Sequence, residues 1–223
     1  MQSLSPADLE RARFNMIEQQ IRPWEVLDPV VLQLLSQVKR EQFVPAGHKA
    51  LAFVDMEIPL PGGQRMLAPR VEARLMQELQ VQPHERVLEI GTGSGYMAAL
   101  LGARAREVLT VELRPELVRM AQDSLRAAGI GNVDVRQGDG ATDLSGLGSF
   151  DVIVLSGSVA QVPERLLRQL DTGGRLIAIV GEEPMMRATV VTCTGEAAWQ
   201  TRQPWDTVAP RLEHFPERSR FVF

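Results

Sequence analysis

Cysteine and histidine are scarce in this chain of 223 residues. Cys193 is the single cysteine, which excludes an internal disulfide and any cysteine-rich metal site. The three histidines, His48, His84 and His214, lie far apart and lack the spacing of metal ligands, so we expect no metal centre. Chemistry in this chain must therefore come from other residue types.

An excess of positive charge and a long apolar run are also missing. The formal net charge of −4 gives no reason to expect binding to nucleic acid or to an anionic membrane. No apolar run reaches the roughly 20 residues of a membrane-spanning helix, and the polar N-terminus predicts a helix rather than a signal peptide. We expect a soluble, cytoplasmic protein, and the sequence carries no signal for its oligomeric state.

What the chain does contain is a glycine-rich stretch behind a short apolar run. Residues 86–96 read Arg-Val-Leu-Glu-Ile-Gly-Thr-Gly-Ser-Gly-Tyr, and an apolar segment that favours a helix continues to Ala103. This order predicts a strand, a tight turn and a helix, the first unit of a parallel α/β sheet. Glycine allows the sharp turn and the close approach of a ligand, which then faces the amides of the helix N-terminus.

The spacing of the glycines and the acid before them indicate which ligand binds. A dinucleotide fingerprint reads G-x-G-x-x-G, whereas this chain has G-x-G-x-G, with Glu89 two residues before the first glycine. A carboxylate there would repel a pyrophosphate but suits a cation, and S-adenosylmethionine carries an ammonium and a sulfonium. The residues assigned to this part of an S-adenosylmethionine site are Glu89, Gly91, Thr92, Gly93, Ser94 and Gly95.

Two acidic residues follow at the ends of the next predicted strands. Glu112 closes the strand at 107–111, about 20 positions beyond the glycine loop, where a carboxylate that accepts from both ribose hydroxyls is expected. The alternative is a solvated surface residue. Asp139 lies between two glycines after the strand at 132–137 and can accept from the adenine amine. The alternative for it is a plain turn.

The rest of the chain predicts alternating strands and helices. An apolar strand at 150–155 runs into Ser156-Gly157-Ser158, and we add Gly140 and Ser156 to the cofactor site. Further helices are predicted at 115–128 and 163–170, and further strands at 176–180, 188–193 and 221–223. We predict an α/β fold with a doubly wound, mostly parallel, seven-stranded Rossmann-like sheet, whose C-terminal edge is antiparallel. Cys193 is expected to pack as a small apolar residue.

We treat residues 1–223 as one domain, with N-terminal helices and a lid-like loop at 1–80 and the cofactor-binding sheet at 81–223. One helix is predicted from Ser5 to about Ile21, ended by Pro23, and one from Asp28 with a buried side. That buried side comprises Val30, Val31, Leu34, Leu35 and Val38. The segment 40–69 is punctuated by proline and glycine but too apolar to be disordered. Our hypothesis is that it folds over the ligand as a lid, before a helix that opens at Pro69 and carries Val71, Leu75 and Leu79 toward the core.

Together these residues resemble the protein-L-isoaspartate O-methyltransferase family of class I S-adenosylmethionine-dependent methyltransferases. The matching segments, in chain order, are residues 42–45, 52–55, 59–69, 86–96, 138–140 and 170–180. The resemblance implies transfer of a methyl group to the carboxylate of isoaspartyl residues in damaged proteins, which is a protein-repair activity.

One departure from the family pattern affects the methyl acceptor. The family has Thr-Ile-Ser after Gly-Gln, and its serine contacts the isoaspartyl carboxylate and is regarded as catalytic. This chain has Arg65 at the threonine and Leu67 at the serine. Leucine cannot hydrogen-bond a carboxylate, so the catalytic residue is unknown, with Arg65 and the Leu67 position as candidates. Arg65 either pairs with a substrate carboxylate or is a surface arginine.

Three functions therefore stay open. The chain methylates isoaspartyl carboxylates, or it methylates a different acceptor such as a small molecule, or it binds the cofactor without catalysis. One hydrogen bond to a charged group contributes roughly 1.5–3 kcal/mol, so losing the serine slows transfer about 10–100-fold without abolishing it. Cofactor binding is expected under all three.

Overall fold

The computed structural model describes residues 5–142 and 144–217. Its α-helices are α1 (Pro6–Met16), α2 (Pro29–Gln37), α3 (Pro69–Leu79), α4 (Tyr96–Gly102), α5 (Pro115–Ala127) and α6 (Glu164–Leu167). Its strands are β1 (Ile58–Pro59), β2 (Arg65–Met66), β3 (Arg86–Ile90), β4 (Glu107–Glu112), β5 (Val133–Gln137), β6 (Phe150–Val159), β7 (Leu170–Glu182), β8 (Met185–Gly195) and β9 (Ala198–Asp206). Within the described residues, every helix is too short or too polar to traverse a bilayer.

The main sheet in the described part of the chain has seven strands in the order β5-β4-β3-β6-β7-β8-β9. Neighbouring strands from β5 to β7 are parallel, whereas β8 and β9 are antiparallel to their neighbours. This arrangement confirms the predicted fold class. The direction of winding reverses between β3 and β6, and open α/β sheets bind ligands at the carboxyl ends of the strands at such a point.

Both faces of β3 are buried, as expected for a central parallel strand. Val87 packs into the core beneath the N-terminal helices, and Leu88 and Ile90 pack into the core on the opposite face. Cys193 packs in the same apolar cluster as Leu88, as expected. Glu89 lies on the same strand and is fully buried, at a position where apolar residues are the rule.

One strand at the edge of the described sheet was not predicted from the sequence. β8 pairs with this strand, β9 (Ala198–Asp206), whereas the predicted final strand at 221–223 lies outside the described residues. β9 was missed because its exposed polar side chains do not alternate with apolar ones, and Trp205 is its buried residue. Pairing with β8, rather than an apolar pattern of its own, makes this segment a strand.

Three further sequence predictions, on one buried residue and two helix ends, differ from the structure. Val30 is exposed, because it lies off the stripe of Val31, Leu34 and Leu35 that faces the core. Pro23 does not end the first helical segment, since a 3-10 turn, in whose first positions proline is tolerated, continues to Trp24. The helix predicted at 163–170 covers only α6, because Leu170 already pairs with β6.

Candidate cofactor and acceptor site

The glycine loop forms the tight turn that the sequence predicted. Gly91 and Gly93 both adopt positive φ values, 89° and 52°, where residues with a Cβ are strained. The amide of Gly91 donates to the Val111 carbonyl at 2.9 Å, which ties the loop to β4. A Cβ on Gly91 would lie 2.8 Å from Leu212 Cδ2, so this position also needs glycine for space.

Glu112, at the end of β4, turns its carboxylate toward the glycine loop. Its Oε2 accepts from the Gly93 amide at 2.9 Å and its Oε1 from the Arg114 amide at 3.0 Å. A carboxylate has about four acceptor positions, so about two remain for a ligand. Glu112 lines a crevice together with both Gly91 and Gly93. This geometry fits a pair of ribose hydroxyls.

Glu89 lies behind this crevice and is fully buried. Its Oε1 accepts from the Ser156 hydroxyl at 2.6 Å and its Oε2 from the Thr110 hydroxyl at 2.7 Å. Burial raises the pKa of Glu89 to about 8, and these two hydroxyls lower it only in part. Thr92 joins the same network, with its hydroxyl 2.6 Å from that of Thr110. Glu89, which the sequence predicted to be a cofactor residue, is thus a buried carboxyl that does not line the crevice and reaches it only through Ser156.

Asp139 follows β5 and already has two partners. Its Oδ1 accepts from the Ala141 amide at 2.8 Å, and its Oδ2 lies 2.7 Å from His214 Nδ1. Partial burial raises the pKa of Asp139, but the His214 and Ala141 hydrogen bonds outweigh it and hold the pKa below its ordinary value. The carboxylate faces the crevice, as the sequence predicted, and the oxygen expected to accept from an adenine amine contacts His214.

His214 belongs to the C-terminal strap, which we define as residues 209–217. The strap runs along β6, where the Ser158 amide donates to the Pro210 carbonyl at 2.7 Å and the Leu212 amide donates to the Ser158 carbonyl at 2.9 Å. Glu213 accepts from Arg114 at 2.5 Å and from Gln64 at 2.9 Å. The strap therefore connects the C-terminal end of β6 to the segment that the sequence predicted to be a lid.

That lid-like segment contacts the glycine loop in this structure. Strands β1 and β2 form a small hairpin, and a Cβ on Gly93 would lie 3.3 Å from Leu60 Cδ1. Gln64 and Arg65 line the crevice beside Glu112. The position of the lid-like segment beside the crevice agrees with the hypothesis that it covers a ligand. Its opening and closing remain a prediction.

The crevice contains some of the predicted cofactor residues and excludes others. Those that line it are Gly91, Gly93, Glu112, Asp139, Gly140 and Ser156. The side chains of Thr92 and Ser94 are buried away from it, and Gly95 packs against Ala121. Ser156 lies within β6 rather than after it, beside a shift in the pairing of β6 with β7. The strap residues could not be predicted from the sequence, since neither periodicity nor a motif marks them.

Leu67 and Arg65, the two candidate positions for contact with the methyl acceptor, differ in burial and in their contacts. The Leu67 side chain is buried, and its carbonyl accepts from Arg40 Nη2 at 2.7 Å. Arg40 is itself fully buried and paired with Glu72, whose pKa burial raises to about 7 despite that partner. Arg65 is exposed and lies 3.3 Å from Glu57. The leucine is thus an anchored part of the core, whereas the arginine is available to a ligand.

A second cavity lies on the Leu67 side of the lid-like segment. We call it the hairpin groove, because the turn between β7 and β8 forms one wall. Leu67 and Ala68 lie at its inner side, and segments 55–57 and 206–208 complete it. In the part of the chain that the structure describes, no cluster of histidine, cysteine or acidic side chains is placed to hold a metal ion.

Comparison with known proteins decides the family. A family model described as protein-L-isoaspartate(D-aspartate) O-methyltransferase matches residues 11–208. The chain belongs to the protein-L-isoaspartate O-methyltransferase family. A protein-L-isoaspartate O-methyltransferase of Koribacter versatilis is 39% identical over 183 residues, with 82% of each chain covered. A protein-L-isoaspartate O-methyltransferase 1 of Rhodopseudomonas palustris is 43% identical over 171 residues, covering 77% of this chain and 70% of that one.

A solved structure of this family shares the fold. It is described as a putative protein-L-isoaspartate O-methyltransferase from Plasmodium falciparum in complex with S-adenosyl-L-homocysteine. The TM-score is 0.79 at 19% identity, with 92% of this chain and 98% of that chain covered. At this identity the likeness supports the fold, and the assignment of individual residues rests on the geometry of the present chain.

Proposed function

We propose that this chain is an S-adenosylmethionine-dependent methyltransferase that acts on the carboxylate of isoaspartyl residues in proteins. Family membership supports the reaction and the methyl donor. The observation that supports the location is the position of Glu112, hydrogen-bonded to the Gly93 amide at the point where the sheet reverses its winding. That crevice is where an open α/β sheet binds its ligand.

The roles of the chain's own residues follow from their chemistry. Glu112 would accept from the ribose hydroxyls and Asp139 from the adenine amine, while Glu89 would act on the positively charged amino-acid end from behind Ser156. When bound, the cofactor supplies a methyl group already activated by its sulfonium. The acceptor carboxylate is ionised at neutral pH, so the protein needs no strong general base. Catalysis is then mostly the positioning of two reactants, which can contribute several kcal/mol.

The family position that contacts the acceptor carboxylate is occupied by Leu67, and Arg65 is the nearby candidate to position that carboxylate. Leu67 has no hydrogen-bonding side chain, and Arg65 stands two residues away with its guanidinium exposed. Arg65 can leave Glu57 and make a charge-assisted pair with the substrate carboxylate. The departure at Leu67 also favours a second candidate, a methyltransferase of the same fold with another acceptor. Cytoplasmic location and a part in protein repair remain predictions from the sequence and the family.

One experiment separates these functions. The protein is incubated with methyl-labelled S-adenosylmethionine and two peptides of identical sequence, one with isoaspartate and the other with aspartate. We expect label on the isoaspartyl peptide alone, released by mild base as a methyl ester should be. Cofactor binding measured by calorimetry, without label on either peptide, would favour the second candidate or loss of catalysis. Failure to bind S-adenosylmethionine would contradict isoaspartyl methylation, methylation of another acceptor and cofactor binding without catalysis alike.

A further inference from the structure

The hairpin groove has an apolar rim. Trp24, Met56, Met185 and Val208 all line it, and all four side chains are exposed, by 42%, 40%, 81% and 48%. Large apolar side chains gathered around a groove mark a surface that binds a partner. Leu67 and Ala68 also line the groove, so it reaches the position that the family resemblance assigns to contact with the acceptor.

The charge of the groove is unbalanced. Five carboxylates and two guanidiniums line it, which leaves a formal charge of −3. Both arginines are already paired, Arg70 with Asp55 at 2.7 Å and Arg187 with Asp206 at 3.0 Å. Within residues 5–142 and 144–217, Glu182 and Glu183 form no ion pair, and Arg211, which donates to the Gly181 carbonyl at 2.9 Å, is paired with Glu217. The charge available to a partner is therefore negative and lies at the turn between β7 and β8.

We propose that the hairpin groove binds the polypeptide on one side of the isoaspartyl residue, and that Glu182 and Glu183 select segments carrying lysine or arginine. The inference rests on the proposed function, since it extends the same acceptor site. Val180 also lines the groove. Glu182 and Glu183 come two and three residues after it, which is roughly 7–10 Å along an extended chain. A peptide in extended form that passes Val180 covers that distance in two to three residues, so we place the basic side chain a few positions from the isoaspartate.

The test compares isoaspartyl peptides that differ at one residue. Lysine, glutamine or glutamate is placed two, three or four positions before or after the isoaspartate, and KM and kcat are measured for each. At the favoured position we expect KM to be about three- to tenfold lower for lysine than for glutamate, with kcat little changed, because the pairs are at the surface and act on binding. The difference should shrink at high ionic strength.

A pair of variants assigns the effect to the hairpin. In the double variant E182Q/E183Q the preference for lysine should disappear while KM for the glutamine peptide stays the same. The matched control is Glu196→Gln, an exposed acid at the other end of β8, which should keep the preference. Two results would overturn this inference but not the proposed function. One is that the double variant keeps the preference for lysine, and the other is that the unmodified protein has equal KM values for all peptides. Absence of transfer to every isoaspartyl peptide would overturn the proposed function and this inference with it.

Discussion

His214 Nδ1 lies 2.7 Å from Asp139 Oδ2, across 75 residues of sequence. The contact places an imidazole on the carboxylate oxygen that we assign to the adenine amine. Leu212, from the same strap, fills the space above Gly91. A cofactor bound as proposed would therefore compete with contacts that the C-terminal strap already makes with the crevice.

Replacing His214 with alanine should strengthen cofactor binding. The variant frees Asp139, and the exposed hydrogen bond that is lost contributes about 0.5–1.5 kcal/mol, so the Kd for S-adenosylmethionine should fall roughly 2–10-fold. Isothermal titration calorimetry gives the Kd directly. His84→Ala is the control, since His84 is also exposed but precedes β3 at the opposite end of the sheet. Weaker binding by the His214 variant would mean that the imidazole contacts the cofactor instead of competing with it.

Glu112→Ala should weaken cofactor binding. The variant removes the acceptor of the ribose hydroxyls, and hydrogen bonds to a charged group contribute roughly 1.5–3 kcal/mol, so Kd should rise about 10–100-fold. Glu107→Ala is a matched control, because Glu107 begins the same strand and its carboxylate is half-exposed. Equal Kd values for the two variants would show that the ribose assignment of Glu112 is wrong.

Valine at Gly93 tests the glycine loop. We expect it to remove measurable binding of S-adenosylmethionine, because a side chain would project into the crevice beside Leu60. Gly93 has a positive φ, so part of the effect is backbone strain of about 1–2 kcal/mol. Gly129→Val controls for that strain, since Gly129 also has a positive φ, but a Cβ there would meet no described atom within 4 Å. Both variants should lose some stability in thermal unfolding, and cofactor binding should survive only in the Gly129 variant.

The buried carboxyl of Glu89 predicts how stability depends on pH. Its pKa is raised to about 8 from the ordinary value of 4.5, so the folded protein holds a proton that the unfolded chain releases. The free energy of unfolding should therefore fall as the pH rises from 5 to 8, by up to about 1.4 kcal/mol per pH unit for this group. Glu72, with a pKa near 7, adds to the same trend at lower pH.

Urea unfolding of the cofactor-free protein at several pH values measures this dependence. Glu89→Gln keeps the shape of the side chain but removes the titration, so its curve should be flatter than that of the unmodified protein. Glu107→Gln, at the surface, should keep the original slope. Parallel curves for all three proteins would show that Glu89 is ionised in the folded state.

The candidate cofactor residues that line the crevice are those whose positions follow from local rules. Glu112 and the glycine loop come at the ends of strands whose apolar pattern is clear, and parallel strands bring their carboxyl ends to one edge. The strap could not be predicted in this way. Its contacts, such as that of His214 with Asp139, join a segment without periodicity to residues far away in the chain, and no local preference encodes them.

The same distinction explains the errors at the sheet edge and at β6. β9 is polar along most of its length, so its pairing with β8 depends on the neighbour and not on its own residues. Ser156 was expected to follow a strand that in fact continues to Val159, because β7 pairs with Ser158 and Val159 after a shift in register and the strap also pairs with Ser158. In both cases tertiary contacts override local propensity.

Restoring serine at Leu67 tests the acceptor side. Leu67 is buried and its carbonyl is held by Arg40, so the backbone is expected to stay in place when the side chain changes. Leu67→Ser and Leu67→Ala both remove a buried leucine and should each cost about 2–5 kcal/mol of stability, but only the first supplies a hydroxyl. If the groove still presents this position to an isoaspartyl carboxylate, kcat/KM of the serine variant should exceed that of the alanine variant about 10–100-fold. The measurement uses the isoaspartyl peptide under conditions where both variants are folded. Equal kcat/KM values for the two variants would mean that another group positions the acceptor, and Arg65 is the first residue to substitute in that case.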